Sequence, residues 1–376
     1  MTTHVFIVNE QSFKIHLEYL FVGTGSKNND VDFNAKCTSQ LHPQSENVLV
    51  SMMADFNRTR VGDYVVFYVQ NSNKSEGKFY GIFQIDSEPF LEPKSNNQYL
   101  LNELGKNLTF RSLIKPYQVY SEGVSEWEAL DEIKAISSPN QMLWSLIYRK
   151  LKGNRGNTMI TLYEAERLFN LIKVKNNHSV INSNSYTYEN RKLVSYNNSS
   201  KRYSGNTNLK FDILPRLCHK KQCGKAYESH LQMFITQNIG KHTSLDKALN
   251  VESEKLEWLG NEVSCGVGMQ RIDIMFSQKT SDIDREVVPI ELKAVPASED
   301  NIRQISRYID WIEQYYVPNK PSTIRPVLIC PESQLNTRTM DAFKKFNADS
   351  NGRYLPLEYI EFRDNNGNLE FTKTLY

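Results

Sequence analysis

The stretch "VVPIELKAVP", residues 287 to 296, decides the fold of the second half of this chain. It is a run of apolar, β-favouring residues that carries a carboxylate, Glu291, and an ammonium, Lys293, two positions apart. Because side chains on a strand alternate between its two faces, Glu291 and Lys293 point the same way. A strand with a buried-looking sequence therefore presents an acid and a base side by side.

The preceding predicted strand, "QRIDIMF", adds a second carboxylate, Asp273, whose flanking isoleucines lie on the opposite face. A polar hairpin, "SQKTSDIDR", joins the two strands. If they pair, Asp273, Glu291 and Lys293 converge on one point. Two neighbouring carboxylates repel each other unless a proton or a cation lies between them. An oxygen-preferring divalent cation such as Mg²⁺ is the expected occupant; the alternative is an exposed strand face with a salt bridge.

This pattern resembles the active site of the PD-(D/E)xK nuclease superfamily, although isoleucine rather than proline precedes Asp273. With its flanks, "YESHLQMFI" and "QISRYIDWI", the region from about Cys223 to Tyr316 is similar to the nuclease domain of NucS-type endonucleases. The resemblance implies that Asp273 and Glu291 are metal ligands and that Lys293 is the catalytic lysine.

The same resemblance implies supporting catalytic roles for Glu228 and Gln304. Gln304 precedes Tyr308 by one turn on a helical stripe. The alternatives are a surface acid for Glu228 and a plain polar face for Gln304. Tyr308 is interpreted as a core residue rather than a ligand. The N-terminal half does not look like the DNA-binding barrel of NucS proteins.

Length and composition are those of a folded protein with more than one domain. The 376 residues are 39% hydrophobic and 23% charged, with a formal net charge of +2, so no global basic field indicates nucleic acid. The sequence predicts no secretory signal and no membrane partner. Five cysteines, an odd number, argue against a disulfide framework and favour a cytoplasmic location.

The segment 173–208 is dominated by Asn, Ser and basic residues and predicts a linker with at most one short strand. It divides the chain into an N-terminal part, residues 1–172, and a C-terminal part, residues 209–376. Strands and helices mix in both, which predicts a multi-domain α+β protein. The resemblance implies a PD-(D/E)xK, restriction-endonuclease-like α/β/α core, within the α/β class, for the C-terminal part.

The N-terminal stretches "RTRVGDYVVFYVQ" and "GKFYGIFQIDSEPFLEP" resemble the EVE-like branch of the PUA superfamily, small β-barrels that bind nucleic acid. The resemblance is loose and covers about residues 4–93, or extends on to residue 172. It implies an extruded base held against aromatic walls. Candidate walls are Tyr68, Phe79, Tyr80 and Trp127, each of which is more typical of a core.

The stretch "YRKLKGNRGNT" places basic side chains around two glycines between two predicted helices. Such a segment favours phosphate contacts, because glycines let the backbone approach and cations attract the phosphates. The alternative is a solvated basic turn. The candidate DNA-binding residues here are Arg149, Lys150, Lys152, Asn154 and Arg155.

Together these features predict a restriction-type endonuclease that hydrolyses double-stranded DNA with Mg²⁺, for which Mn²⁺ can substitute. Its N-terminal module would read a DNA sequence or a flipped or modified base. One site cuts one strand, so double-strand cleavage favours a homodimer. The alternatives are a DNA-repair endonuclease for mismatched or branched DNA, and a nucleic-acid-binding protein that does not cut.

Overall fold

The computed structural model describes residues 1–25, 43–70, 76–92, 96–130, 137–148, 156–196, 201–265 and 270–374. The chain forms two compact units, and both are discontinuous in sequence. The first comprises Met1–Val31 and Asp55–Phe211, and the second Asp32–Ala54 and Asp212–Tyr376. Each unit contains a mixed sheet with helices, so the protein is a multi-domain α+β fold. None of the helices in the described ranges is long and apolar enough to cross a membrane.

The first unit alternates short strands and helices along most of its length. Its elements are β1 (Thr3–Val8), α1 (Glu10–Tyr19), β2 (Phe21–Thr24), the end of α2 (Pro43–Asn57), β3 (Tyr64–Val69), β4 (Lys78–Ile85), β5 (Phe90–Leu91), α3 (Leu101–Leu104), β6 (Phe110–Pro116), β7 (Val124–Ser125), α4 (Glu126–Leu130), α5 (Trp144–Tyr148), β8 (Asn157–Ile160), α6 (Leu162–Lys175), β9 (Tyr186–Glu189) and β10 (Lys192–Ser195).

The sheet of the first unit has the order β2-β6-β4-β3-β1-β8, with β5 beside β6 and β7 beside β4. Strands β1 and β3 are parallel, and their buried valines pack with α6. The end strands β2 and β8 do not pair with each other in the described residues. Closing a barrel requires that pairing. The sheet is therefore open here, where the sequence predicted a β-barrel.

The predicted linker contains a folded hairpin, which differs from the expectation that this segment buries little. Strands β9 and β10 pair, and Tyr186, Tyr188 and Leu193 are buried. The ring of Tyr188 lies 5.1 Å from that of Phe13 on α1 and 5.4 Å from that of Tyr80 on β4. Aromatic burial therefore outweighs the polar composition, and the hairpin belongs to the first unit.

The second unit is built around a sheet with the order β11-β12-β13-β15-β16-β17, with β14 beside β13. The beginning of α2 also belongs to it. The further elements are α7 (Leu214–Gln222), α8 (Glu228–Asn238), α9 (Ser244–Leu249), β11 (Leu256–Ser264), β12 (Arg271–Lys279), β13 (Arg285–Leu292), α10 (Glu299–Trp311), β14 (Thr323–Ile324), β15 (Val327–Pro331), α11 (Thr337–Ala348), β16 (Glu358–Asn365) and β17 (Asn368–Thr374).

Helix α8 covers the apolar face of this sheet. Its Leu231 and Ile235 join one buried cluster with Ile274 of β12 and Ile290 of β13. Because side chains alternate along a strand, Asp273 and Glu291 project toward the opposite face. Tyr308 of α10, whose hydroxyl contacts Glu291, lies on that opposite face. The polar residues of the two central strands are thereby held between the sheet and a second layer of helix.

The apolar spacing of residues 245–258 predicts one continuous helix, but the helix found there is shorter. Helix α9 ends at Leu249, because Asn250 adopts a left-handed conformation (φ 50°) as its C-cap. Leu256 then begins β11, which pairs antiparallel with β12. The apolar spacing of "LEWL" is compatible with a helix or a strand, and the sheet edge offered by β12 selects the strand.

Candidate active site

Strands β12 and β13 bring Asp273, Glu291 and Lys293 together. The strands pair antiparallel with Ile274 opposite Ile290, a register that places Asp273 across from Glu291. The backbone N–H of Leu292 donates to Asp273 Oδ2 at 2.8 Å. The Lys293 ammonium forms an ion pair with Glu291 Oε1. The pairing on which the predicted convergence depends is therefore present.

Tyr308 on α10 fixes the second carboxylate of this group. Its hydroxyl lies 2.6 Å from Glu291 Oε2 and 2.9 Å from the carbonyl oxygen of Arg271. The single hydroxyl proton has the stronger acceptor in the charged carboxylate. Gln304 Nε2 donates to the same hydroxyl at 2.7 Å. Glu291 thus has Lys293 on one oxygen and Tyr308 on the other.

The contact of Tyr308 with Glu291 is not foreseen by the sequence interpretation, which assigned Tyr308 to the core alone. Tyr308 is indeed buried, at 1% exposure, yet its hydroxyl reaches the carboxylate. The signal available in the sequence is the spacing of Gln304 and Tyr308, which places both on the same helical stripe. A polar residue one turn from a buried tyrosine indicates that the tyrosine hydroxyl forms hydrogen bonds inside the protein.

Glu228 lies at the beginning of α8 and is exposed. Its negative charge acts on both Lys293 and Asp273. The structure therefore places Glu228 within electrostatic range of the site, but it shows no hydrogen bond from Glu228 to the three central residues in the described chain. Of the two predicted supporting residues, Gln304 has the more direct connection to the site, because it donates to the Tyr308 hydroxyl that contacts Glu291.

The pKa values of Asp273, Glu291 and Lys293 are all raised, which favours a positive charge between the two acids. Burial, and then repulsion by Glu291, raise the pKa of Asp273 well above its ordinary value. Burial likewise raises the pKa of Glu291, against the opposing effects of Lys293 and Tyr308. Burial works against the charge of Lys293, but Glu291 and Glu228 more than offset it and raise the pKa of the ammonium.

The carboxylates of Asp273 and Glu291 fit a magnesium ion as ligands. Mg²⁺ is typically bound by one or two carboxylates, with waters and substrate phosphate completing its coordination, rather than by a cage of protein ligands. Among the residues that the structure describes, no group of three or more His, Cys, Asp or Glu side chains could hold a metal. A closed structural zinc site needs about four such ligands. Glu291 is fully buried and Asp273 is half-buried, and the pKa of each is raised, so a divalent cation would offset the negative charge that the two carry when ionised.

We expect the substitution Asp273→Asn to stabilise the metal-free protein at neutral pH. A carboxyl whose pKa is higher in the folded than in the unfolded chain stabilises the fold below its unfolded pKa. That contribution is lost as the pH rises through the folded value, because the folded protein must then release a proton at a cost. The asparagine variant lacks this loss.

Urea unfolding of both proteins in a chelator, from pH 4 to pH 8, measures the effect of Asp273→Asn. The free energy of unfolding of the variant, minus that of the wild type, should increase with increasing pH. Asp300→Asn, at an exposed position on α10, is the matched control. A difference between wild type and Asp273→Asn that does not change with pH would contradict the assigned burial and repulsion.

The predicted aromatic walls of the first unit are mostly core residues. Tyr68 is 1% exposed and its hydroxyl donates to Glu126 at 2.6 Å, and Tyr80 is fully buried with its hydroxyl 2.8 Å from the carbonyl oxygen of Arg191. Phe79 is also fully buried. These three cannot face a base, because strands β3 and β4 direct them into packed interior. Trp127 alone is exposed, at 65%.

Two glycines explain how the large tyrosines fit. A Cβ at Gly77 would lie 2.2 Å from the Tyr68 hydroxyl, and one at Gly123 would lie 2.5 Å from the Tyr80 ring. Both positions must therefore lack a side chain. The predicted DNA-binding residues of the basic segment, which are Arg149, Lys150, Lys152, Asn154 and Arg155, lie outside the described residues.

Comparisons with known proteins give weak structural likenesses only. No protein-family model and no curated protein matches the sequence. A hypothetical protein from Leishmania major is 10% identical, with a TM-score of 0.29, over 46% of this chain and 96% of its own. A Pseudomonas putida protein is 15% identical, with a TM-score of 0.22, over 40% and 97%.

Human THYN1, solved in complex with DNA that contains 5-methylcytosine, is 13% identical to this chain. The likeness has a TM-score of 0.25 and covers 46% of this chain and 96% of that one.

Proposed function

We propose that this protein is a metal-dependent DNA endonuclease of restriction type, with a PD-(D/E)xK active site in its second unit. The observation that carries the proposal is the meeting of Asp273, Glu291 and Lys293 on adjacent antiparallel strands. Two acids on one sheet face can bind an oxygen-preferring cation, and a lysine beside them can stabilise charge that develops on a phosphate during phosphodiester hydrolysis.

The roles of the carboxylates follow from their surroundings. Asp273 and Glu291 would hold Mg²⁺, or Mn²⁺ in its place. The bound cation would supply positive charge for the scissile phosphate and the attacking water. Leu292 N–H and Tyr308 orient one oxygen of each carboxylate. Because both acids are held by the protein before any ligand arrives, the two carboxylates themselves would move little on binding.

The role of Lys293 follows from its protonation. With a raised pKa, Lys293 is an ammonium at neutral pH and cannot accept the proton of water. It would instead stabilise negative charge that develops on the phosphate, exchanging its ion pair with Glu291 for a phosphate oxygen. Its side chain is 20% exposed, so substrate can reach it.

The substrate assignment is double-stranded DNA, read by the first unit and cut by the second. The basic segment at residues 149–155 is the proposed phosphate contact. Cutting both strands with one site per chain requires a homodimer or two successive nicks. A restriction role is favoured over repair because reading and cutting are assigned to separate units.

A panel of duplexes incubated with Mg²⁺ tests this function. Unmodified, base-modified and mismatched duplexes of one sequence are compared for cleavage and, in a chelator, for binding. We expect cleavage of matched duplex, dependent on its sequence or modification. Cleavage confined to mismatched or branched DNA would favour a repair endonuclease. Binding to duplex without any cleavage by the wild type would overturn the nuclease in favour of a DNA-binding protein.

A further inference from the structure

The first unit contains a cavity of about 380 Å³ that none of the predicted binding residues lines. It lies between α6 and the beginnings of β1 and β3. Its volume falls in the ~300–1,000 Å³ range of small-molecule sites. All of its lining residues belong to the described part of the first unit. The cavity is therefore distinct from the acid–lysine site of the second unit, which consists of Asp273, Glu291 and Lys293.

Three aromatic rings form the apolar wall of this cavity. The ring of Tyr64 lies 5.1 Å from that of Tyr117 and 5.4 Å, nearly perpendicular, from that of Phe169. All three are partly solvent-accessible, in contrast to the buried rings of Tyr68 and Tyr80. Accessible aromatic faces provide a stacking surface for a planar ligand.

Polar groups without partners lie beside these rings. The Gln118 side-chain amide and the Lys173 ammonium line the cavity and form no hydrogen bond or ion pair with the described residues. The amide offers a donor and an acceptor next to each other, and the ammonium offers donors only. The neighbouring hydroxyls of Tyr64 and Tyr117 interact with each other, and both keep acceptor capacity toward the cavity.

We propose that this cavity binds a nucleobase. The ring would stack against Tyr117 and Phe169, and its donor–acceptor edge would pair with the Gln118 amide, as glutamine pairs with adenine. Lys173 would donate to a ring nitrogen, a carbonyl or an attached phosphate. An aliphatic ligand would leave both polar side chains unused, and a simple anion would leave the aromatic wall unused. The base has two sources, a free nucleoside or nucleotide and an unstacked base of a nucleic acid.

Isothermal titration separates the two sources. The full-length protein in a chelator is titrated with adenosine, guanosine, cytidine, thymidine and AMP. A second arm uses a duplex with an extrahelical 2-aminopurine, whose fluorescence reports its environment. We expect saturable binding in at least one arm, with Gln118→Ala and Phe169→Leu each weakening it about tenfold. Gln11→Ala, at an exposed glutamine of α1 on the same unit, is the matched control.

Each outcome of this titration decides something. Binding of free nucleosides that the two variants weaken supports a small-molecule site, and an effect seen only with the duplex supports an unstacked base. No binding in either arm overturns the proposal, as does binding that neither variant changes. Because the experiment contains no divalent cation and measures no cleavage, it can fail while the nuclease activity stands, and the reverse also holds. Gln118→Ala removes a half-buried polar side chain and leaves the core intact, so a failure to fold would not obscure the result.

Discussion

Replacing Lys293 by methionine is expected to lower the rate of Mg²⁺-dependent DNA cleavage by about 10²–10³-fold, the usual loss when one group that stabilises transition-state charge is removed. Methionine keeps most of the length and the apolar stem of lysine but has no charge. The ion pair of Lys293 with Glu291 shows that the ammonium lies beside the proposed metal ligands. Binding of the duplex should change much less than the rate, because one charge among many phosphate contacts is lost.

Single-turnover cleavage with the protein in excess measures the chemical step for Lys293→Met. The matched control is Lys344→Met, which removes an exposed lysine of α11 in the same unit. Loss of Lys293 also leaves the buried Glu291 without its cation, so both variants are first compared by circular dichroism and urea unfolding. A folded Lys293→Met protein that cleaves at the wild-type rate would remove Lys293 from the mechanism.

The substitution Glu46→Ala is expected to destabilise the second unit by about 3–5 kcal/mol, as when one partner of a buried ion pair is deleted. Glu46 is 2% exposed and accepts from Arg216 at 2.8 and 3.0 Å and from His230 at 2.9 Å. Lys220 lies 3.6 Å away. Alanine would leave Arg216 and Lys220 as buried charges with no anion.

The pKa values agree with an ionised Glu46. Burial alone would raise the pKa of this carboxyl, but the hydrogen bonds from His230 and Arg216 outweigh it and lower the pKa. Burial lowers the pKa of His230, which therefore donates as a neutral imidazole. Glu46→Gln keeps the shape and one acceptor, so it should cost less than Glu46→Ala but remain clearly destabilising.

Urea unfolding followed by tryptophan fluorescence measures both Glu46 variants, because Trp258 and Trp311 lie in the same unit. The matched control is Glu370→Ala, which removes an exposed acid paired with Arg363 and should change stability little. If Glu46→Ala unfolds at the same urea concentration as the control, the buried cluster does not hold the beginning of α2 on this unit.

The sequence predicts that Asp273, Glu291 and Lys293 lie together, because the pattern that places them is local. Alternation along β12 and β13, and the polar hairpin between them, place Asp273 opposite Glu291 once the strands pair. The partner Tyr308 belongs to a helix whose stripe is visible in the sequence, but whether its hydroxyl finds Glu291 depends on how α10 packs. That packing is not encoded in a short pattern.

Other features depend on contacts between distant parts of the chain. Glu46 accepts a hydrogen bond from Arg216, which lies 170 residues away in the sequence. The local sequence around either residue does not predict this contact. Tyr68 and Tyr80 were candidates both for a ligand wall and for the core, because aromatic residues suit both stacking and burial. The close approach of Gly77 and Gly123 decides for burial. By contrast, the start of α1 has a local signal in the sequence, because the Asn9 side chain accepts from the backbone N–H of Ser12 and caps the helix.

The most direct test of the account is electron paramagnetic resonance of Mn²⁺ added to the full-length protein at pH 8, with and without a duplex. Mn²⁺ reports binding through the loss of its free-ion signal and can occupy a site made for Mg²⁺. We predict bound Mn²⁺ in the wild type, strengthened by duplex and abolished in the double variant Asp273→Asn, Glu291→Gln. Equal binding by that variant, or none by the wild type even with duplex present, would contradict a shared cation between Asp273 and Glu291.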